Sequence, residues 1–333
     1  MIETWGAAPD GSPVTRVTIA HDGLCARLIS FGAALQDLRL ASHSFPLVLG
    51  YPTLVPYLKN HNYFGSIVGR YANRINFARA SIDGATHVFD KNFLGKHILH
   101  GGTNGCAHRN WVLSDHGPDF AIFTDALANG HMGFPGCLEI NARYQIRANN
   151  RLVLTIIAST DQVTLCNLTG HSYFNLDGGP TLVNHKLMVR ADTYLPVDQE
   201  GIPLSGPMAV ANTRFDFQRS RAVFEEGEKL GLDHNFCLSP QRRKLTSVAE
   251  LISVKSDITL EVSTTEPGLQ AYTGQGIGGV AQGLADEVYQ PFAGIALEPQ
   301  IWPDAPNRPE FPSAQLLPGE TYFHHTEYQF LSR

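Results

Sequence analysis

Along most of the chain, apolar and polar residues alternate singly over short stretches bounded by glycine, proline, asparagine or aspartate, as half-buried strands require. Val14-Thr15-Arg16-Val17-Thr18-Ile19 is one such stretch, and Lys186 to Val189 and Tyr322 to Phe330 read as others. Phe77 to Ile82 and Thr86 to Phe89 flank Asp83-Gly84, which predicts a β-hairpin because Asp-Gly tolerates the positive φ of a two-residue turn. Arg143 to Arg147 and Leu152 to Ile157, joined through Asn149-Asn150, predict a second hairpin. Helical patterning is confined to two short runs, Arg221 to Leu230 and a glycine-interrupted Val280 to Val288. The expected fold is all-β: antiparallel sheets packed face to face in a large sandwich, with few short helices. No repeat, linker or shift of composition divides the chain, so residues 1–333 read as a single domain.

Composition narrows the partners. Hydrophobic residues make up 43% and charged residues 17%, and the formal net charge is -6. That balance argues against nucleic acid or an anionic membrane as partner. Arg242-Arg243-Lys244 is the densest basic run and reads as a solvated loop. No apolar stretch approaches the ~20 residues of a membrane span. The 5 cysteines, Cys25, Cys106, Cys137, Cys166 and Cys237, are scattered without a CxxC pair, which fits reduced thiols. With no signal peptide legible at Met1-Ile2-Glu3-Thr4-Trp5, the expected location is the cytoplasm.

Few motifs survive their structural context. Gly274-Gln275-Gly276-Ile277-Gly278-Gly279 has the GxGxxG spacing, but Gly283 and Pro291 interrupt the segment after it and the surroundings are all-β. It reads as a loop rather than a dinucleotide site. GxSxG, Walker-type and HExxH patterns do not occur, and His97 with His100 falls in a loop between glycines. No cluster has metal-ligand spacing, so neither a metal nor any other cofactor is expected. Asn167-Leu168-Thr169 is a glycosylation sequon by letter only. If Gly294 to Glu298 is a strand, Glu298 shares a face with the small residues Gly294 and Ala296 and has room above it for a ligand. Pro299 is then expected to end the ladder. The alternative for Glu298 is a solvated strand-end carboxylate. Trp302 nearby is either a sugar-stacking ring or a packing residue, and a lone histidine such as His171 is otherwise a hydrogen-bonded core residue.

Several segments carry more together than singly. They include Gly69-Arg70-Tyr71-Ala72-Asn73-Arg74-Ile75, Leu99-His100-Gly101-Gly102 and His171-Ser172-Tyr173-Phe174-Asn175-Leu176. Leu232-Asp233-His234-Asn235-Phe236, Leu269-Gln270-Ala271-Tyr272-Thr273-Gly274 and Pro303-Asp304-Ala305 come after them in order. From about Gly50 to the C-terminus, this series resembles the aldose 1-epimerase (galactose mutarotase) family. The resemblance implies a supersandwich with an open sugar cleft and a free aldohexose as small-molecule partner. It implies Glu298 as general base, His171 as general acid and His100 as a second histidine near the ring oxygen. Asn73, Arg74, Asp233 and Gln270 then hold sugar hydroxyls. Because neighbours on a regular strand face opposite ways, Asn73 and Arg74 reach one ligand only from a loop or bulge. The chain departs from the family at Pro299 and over Asp90 to Ile98.

An acid and a base on opposite sides of a sugar can open the hemiacetal ring and close it on the other carbonyl face without a metal. A glycoside hydrolase using Asp233 and Glu298, or a non-catalytic sugar sensor, is the competing reading.

Overall fold

The computed structural model describes residues 1–59, 62–224, 231–279 and 281–332. Three antiparallel sheets dominate it. The largest has nine strands; across it, Val112–His116, Phe120–Leu127, Leu138–Arg147, Arg151–Thr160 and Tyr322–Ser332 lie side by side. Ile258–Thr264, Thr246–Ser253, His185–Val189 and the short Arg221–Ala222 complete it. A six-stranded sheet is ordered Tyr173–Phe174, Ile295–Gln300, Gly268–Tyr272, Asp233–Cys237, Thr193–Tyr194, Met208–Ala209. A four-stranded N-terminal meander, Ile2–Ala7 to Ala34–Leu40, is the third.

Alternation decides what each face meets. The main core joins Ile140, Leu152, Ile156 and Leu260 of the nine-stranded sheet to Phe236, Leu269, Ala271 and Leu297 of the six-stranded one. Leu24, Leu28 and Leu38 of the meander enter the same core. Since successive side chains point to opposite faces, Asp233, Gln270 and Glu298 stand on the other side of the six-stranded sheet, away from that core. Register aligns them: Asn235 pairs with Gln270, and Gln270 with Glu298.

The Asp83-Gly84 hairpin forms, with Ile82 opposite Ala85 and both turn residues at positive φ (49° and 75°), but its first strand begins at Arg79 because Phe77 and Ala78 lie in a left-handed 3-10 turn. In the second hairpin Arg147 faces Arg151, and Asn149 and Asn150 take the left-handed turn positions. Both helical expectations require correction. Arg221–Ala222 is a strand edge, while residues 225–230 of the first expected helix lie outside the described residues. Residue 280 also lies outside them, and 281–288 hold no helix. There Gln282 bridges back to Val288 around Asp286, which sits at φ 64°. The one α-helix among the described residues is Val55–Lys59. Pro299 does not end its strand either: pairing continues to Gln300, opposite Gly268. Tyr173–Phe174 stops pairing at Ala296, so beyond that point the strand has one free edge, where proline is tolerated.

No described helix is long and apolar enough to cross a membrane. All five cysteines are free thiols. Asn167 is fully buried and donates to Ala72 O and Ile301 O, so the sequon asparagine is a structural tie between loops.

Candidate active site

Above the polar face of the six-stranded sheet, three loops converge. The first is the Arg70–Arg74 segment. Arg70 is buried and turned away from the cleft, its guanidinium donating to the carbonyls of Leu127, Pro135 and Gly136 and to Thr164 Oγ1. Asn73 comes next to the site in a left-handed conformation (φ 66°), and Arg74 begins a two-residue strand paired with Leu99. This kink is the break from regular alternation that lets Asn73 and Arg74 face one cavity. The second loop carries His100, also left-handed at φ 51°. It is drawn so close to the first that a Cβ on Gly101 would lie 2.0 Å from Gly69 O, so only glycine fits there. The third carries His171, whose backbone N–H donates to Ser66 O at 2.8 Å.

Together they enclose a cavity of about 190 Å³ lined by Asn73, Arg74, His100, His171, Asp233 and Glu298, six of the seven residues singled out from sequence. Gln270 is not in the lining. It is buried behind Asp233 and donates its Nε2 to Asp233 Oδ1 at 2.6 Å. Arg74 Nη2 donates to the other carboxylate oxygen at 3.2 Å, so Asp233 is fixed from both sides. Tyr63, Phe93, Tyr173 and Tyr272 supply the aromatic walls. Sequence reasoning passed over these four, although Tyr173 and Tyr272 sit inside matched segments. Trp302, the sequence candidate for a stacking ring, packs against Phe311 and donates Nε1 to Pro267 O instead. A larger hollow of about 800 Å³ shares Tyr63 with this cavity and is lined by none of the predicted site residues.

His171 Nε2 lies 3.6 Å from Glu298 Oε1, and both groups are buried. Burial pushes the Glu298 carboxyl well above its ordinary range, with Asp233 adding to the rise and Arg74 opposing it. Burial also lowers His171 to about 4, partly offset by its own main chain and by Asp233. The low-dielectric setting therefore favours the uncharged form of each group, a protonated Glu298 carboxyl and a neutral imidazole. The alternative placement of that proton is a carboxylate facing an imidazolium, so the two forms of the pair differ only by a proton transfer. At 3.6 Å the two groups form one buried pair. Its ring surroundings are Tyr173 at 5.0 Å, His100 at 5.2 Å and Tyr63 at 5.7 Å.

His100, His171 and Glu298 each place a potential ligand atom within 4.8 Å of the others, a grouping that sequence spacing did not reveal. The hydrogen bonding at His100 runs against a cation. Its Nδ1 accepts the Asn73 N–H at 3.1 Å, which puts the ring hydrogen on Nε2 and makes that nitrogen a donor. Burial, then the neighbouring His171, hold His100 well below its ordinary value and keep it in this neutral form. A donor aimed into a cavity suits a sugar oxygen better than a metal ion.

The sequence model of the aldose 1-epimerase family matches residues 15–329. The chain is 36% identical to the aldose 1-epimerase of Escherichia coli (strain K12) over 344 aligned positions, covering 99% of each. It is 37% identical to the galactose mutarotase of Rattus norvegicus, covering 98% of this chain and 97% of that protein. Among solved structures, the GalM/aldose epimerase homologue from C. elegans superposes with a TM-score of 0.89 at 32% identity, covering 95% of this chain and 98% of that one. Galactose 1-epimerase from Lactobacillus acidophilus NCFM superposes with a TM-score of 0.86 at 26% identity, covering 99% and 98%. Full-length similarity in sequence and fold, over a cleft built from the matched segments, places this chain in the aldose 1-epimerase family of carbohydrate isomerases.

Proposed function

We propose that the protein interconverts the α and β anomers of free aldohexoses such as glucose and galactose. The observation that carries this reading is the buried pair of His171 and Glu298, 3.6 Å apart at the wall of a small polar cavity. Glu298 takes the proton of the anomeric hydroxyl while His171 delivers one to the ring oxygen. The ring C–O bond breaks, an aldehyde forms, and rotation of the adjacent bond presents its other face. In reclosure the two groups exchange roles, and the pair ends with the single proton with which it began. His100 donates from Nε2 to a sugar oxygen, and Asn73, Arg74 and Asp233 hold hydroxyls. Gln270 acts through Asp233, which it orients. Asp233 has both oxygens engaged by Gln270 and Arg74, an arrangement for accepting a hydroxyl rather than for attacking a glycosidic carbon.

Polarimetry or NMR exchange on freshly dissolved α-glucose and α-galactose tests the reading, and an equilibration rate no faster than buffer rejects it. The rate is expected to be the same with and without EDTA. A rate lost to chelation and restored by zinc would instead make the His100–His171–Glu298 group a metal centre.

The pH profile carries a sign. Activity requires one proton on the pair, so the acid limb reports a second proton reaching His171, near 4. The alkaline limb reports loss of the only proton from Glu298, at its raised value. Asp233 raises both groups, so Asp233→Asn lowers both and should move both limbs of the kcat profile to lower pH, whatever it does to KM. Limbs that stay in place while KM rises would separate Asp233 from the electrostatics of the pair.

A further inference from the structure

The stretch Asp90 to Ile98 delivers one side chain to the cleft. Phe93 lines the cavity, with its ring centroid 4.8 Å from the Arg74 guanidinium carbon. The loop that carries it is held at three points. At the base, Asn92 Nδ2 donates to Leu99 O at 2.9 Å and Leu99 N–H donates to Asn92 Oδ1 at 2.8 Å. At the tip, Phe93 and His97 exchange backbone hydrogen bonds around Leu94 and Gly95, both left-handed. From the side, Glu200 Oε2 accepts from Lys96 Nζ at 2.5 Å and from His97 Nε2 at 3.1 Å. His97 Nδ1 accepts the Phe77 N–H at 3.0 Å, which directs the hydrogen on Nε2 toward Glu200.

The residue after Glu200 completes the enclosure. A Cβ on Gly201, at φ 76°, would stand 2.8 Å from the Arg74 guanidinium carbon. Arg74 is therefore close to the Phe93 ring and to the Gly201 backbone, and it is ion-paired with Asp233. Arg74 is also the one Arg or Lys among the described lining residues. A phosphate or carboxylate on a sugar needs unshared N–H donors. Here it meets a cation whose two terminal nitrogens are already shared with Asp233 and Asn73 and which is flanked by an aromatic ring, leaving too few donors for both oxygens of an anion though enough for a hydroxyl. A neutral sugar needs no such donor and keeps an apolar wall for its C–H surface.

We infer that Phe93 is a specificity-determining residue. Its latched ring restricts the site to neutral sugars by covering Arg74, an inference that rests on the mutarotase reading above. The test compares wild type, Phe93→Ala and Phe93→Leu on glucose, glucose 6-phosphate and glucuronate. Anomer exchange is measured beside calorimetric binding of the same three sugars, with a melting curve for each variant. Wild type should favour glucose over both charged sugars. Phe93→Ala should cut that preference on the order of tenfold, and the change should lie in KM rather than kcat because the ring touches no reacting atom. Phe93→Leu, which keeps an apolar cover, should stay near the wild type. If wild type exchanges no aldose, the mutarotase reading fails, while the binding ratios still test Phe93. A ratio of neutral to charged sugar that Phe93→Ala leaves unchanged overturns the inference.

Discussion

Glu298→Gln is expected to slow anomer exchange by about 10²–10⁴-fold while sugar affinity changes little. Glutamine keeps the length and most of the hydrogen-bonding reach of glutamate, but it cannot take a proton from the anomeric hydroxyl. The environment of Glu298 sharpens the expectation. Its Oε1 lies 3.6 Å from His171 Nε2, and its Oε2 is buried with no hydrogen-bond partner. A carboxyl whose folded value is raised above its unfolded one is a destabilising element at pH above the unfolded value, and more so up to the folded one. Glutamine removes that cost, so the melting temperature near pH 7 should hold or rise. Activity and stability thus move in opposite directions, as at sites where function is kept at a cost to the fold. A structural glutamate paired to a buried cation predicts the reverse, a loss of about 3–5 kcal/mol with no specific catalytic defect. Exchange rate, calorimetric affinity and melting curve, taken together, separate the two. A variant that retains more than about a tenth of the wild-type rate is inconsistent with a general base.

The features legible in the amino-acid order are the local ones. Alternation in Ile295-Ala296-Leu297-Glu298 assigns Leu297 to the core face and Glu298 to the other, and the sheet is built that way. Asp83-Gly84 and Asn149-Asn150 mark turns because the left-handed φ they require is a property of single residues. The features that stayed hidden depend on contacts between distant segments. The turn over Gln282–Val288 looks helical by composition, and a cross-bridge decides otherwise. Pro299 looks like a strand end, and only the loss of one neighbour beyond Ala296 lets the strand continue through it. Arg242-Arg243-Lys244 reads as a solvated run, but Arg242 lies over the Tyr322 ring and donates to fully buried Glu266. Phe93 lies in a stretch without periodicity, and its place at the site comes from a latch to Glu200 far along the chain. The resemblance brings out Asn73, Arg74, His100 and His171 because each stands in a matched string, while Glu298 lies between two of them and is marked by alternation along its strand. Their meeting in one cavity is a consequence of pairings such as Arg74 with Leu99 and Gly170 with Ile67, which no local pattern encodes.

His171→Asn is expected to cost about 10²–10⁴-fold in exchange rate, the share of a positioned proton donor. The competing view is that His171 is a core residue, since it is buried and surrounded by the rings of Tyr63, His100 and Tyr173. Its ring atoms speak for the first view. Nδ1 is buried with no hydrogen-bond partner, and Nε2 is directed at Glu298 rather than at the backbone. A packing histidine would be expected to have satisfied nitrogens. The two views differ in three readouts. If His171 is the acid, folded His171→Asn is nearly inactive, and the limb near 4 disappears from what rate remains, because asparagine takes no second proton. Stability should change little, since the main-chain bond to Ser66 O is kept and the buried Nδ1 had no partner to strand. If His171 only packs, the melting temperature falls and the protein that remains folded turns over at the wild-type rate, its pH profile intact. Coupling to Glu298 adds a further check. Once the shared proton has no second site, removing the base as well should cost little more, so the double variant with Glu298→Gln should fall short of the product of the single losses. Fully multiplicative losses would mean that the two side chains act independently and that the 3.6 Å approach has no part in the proton transfer.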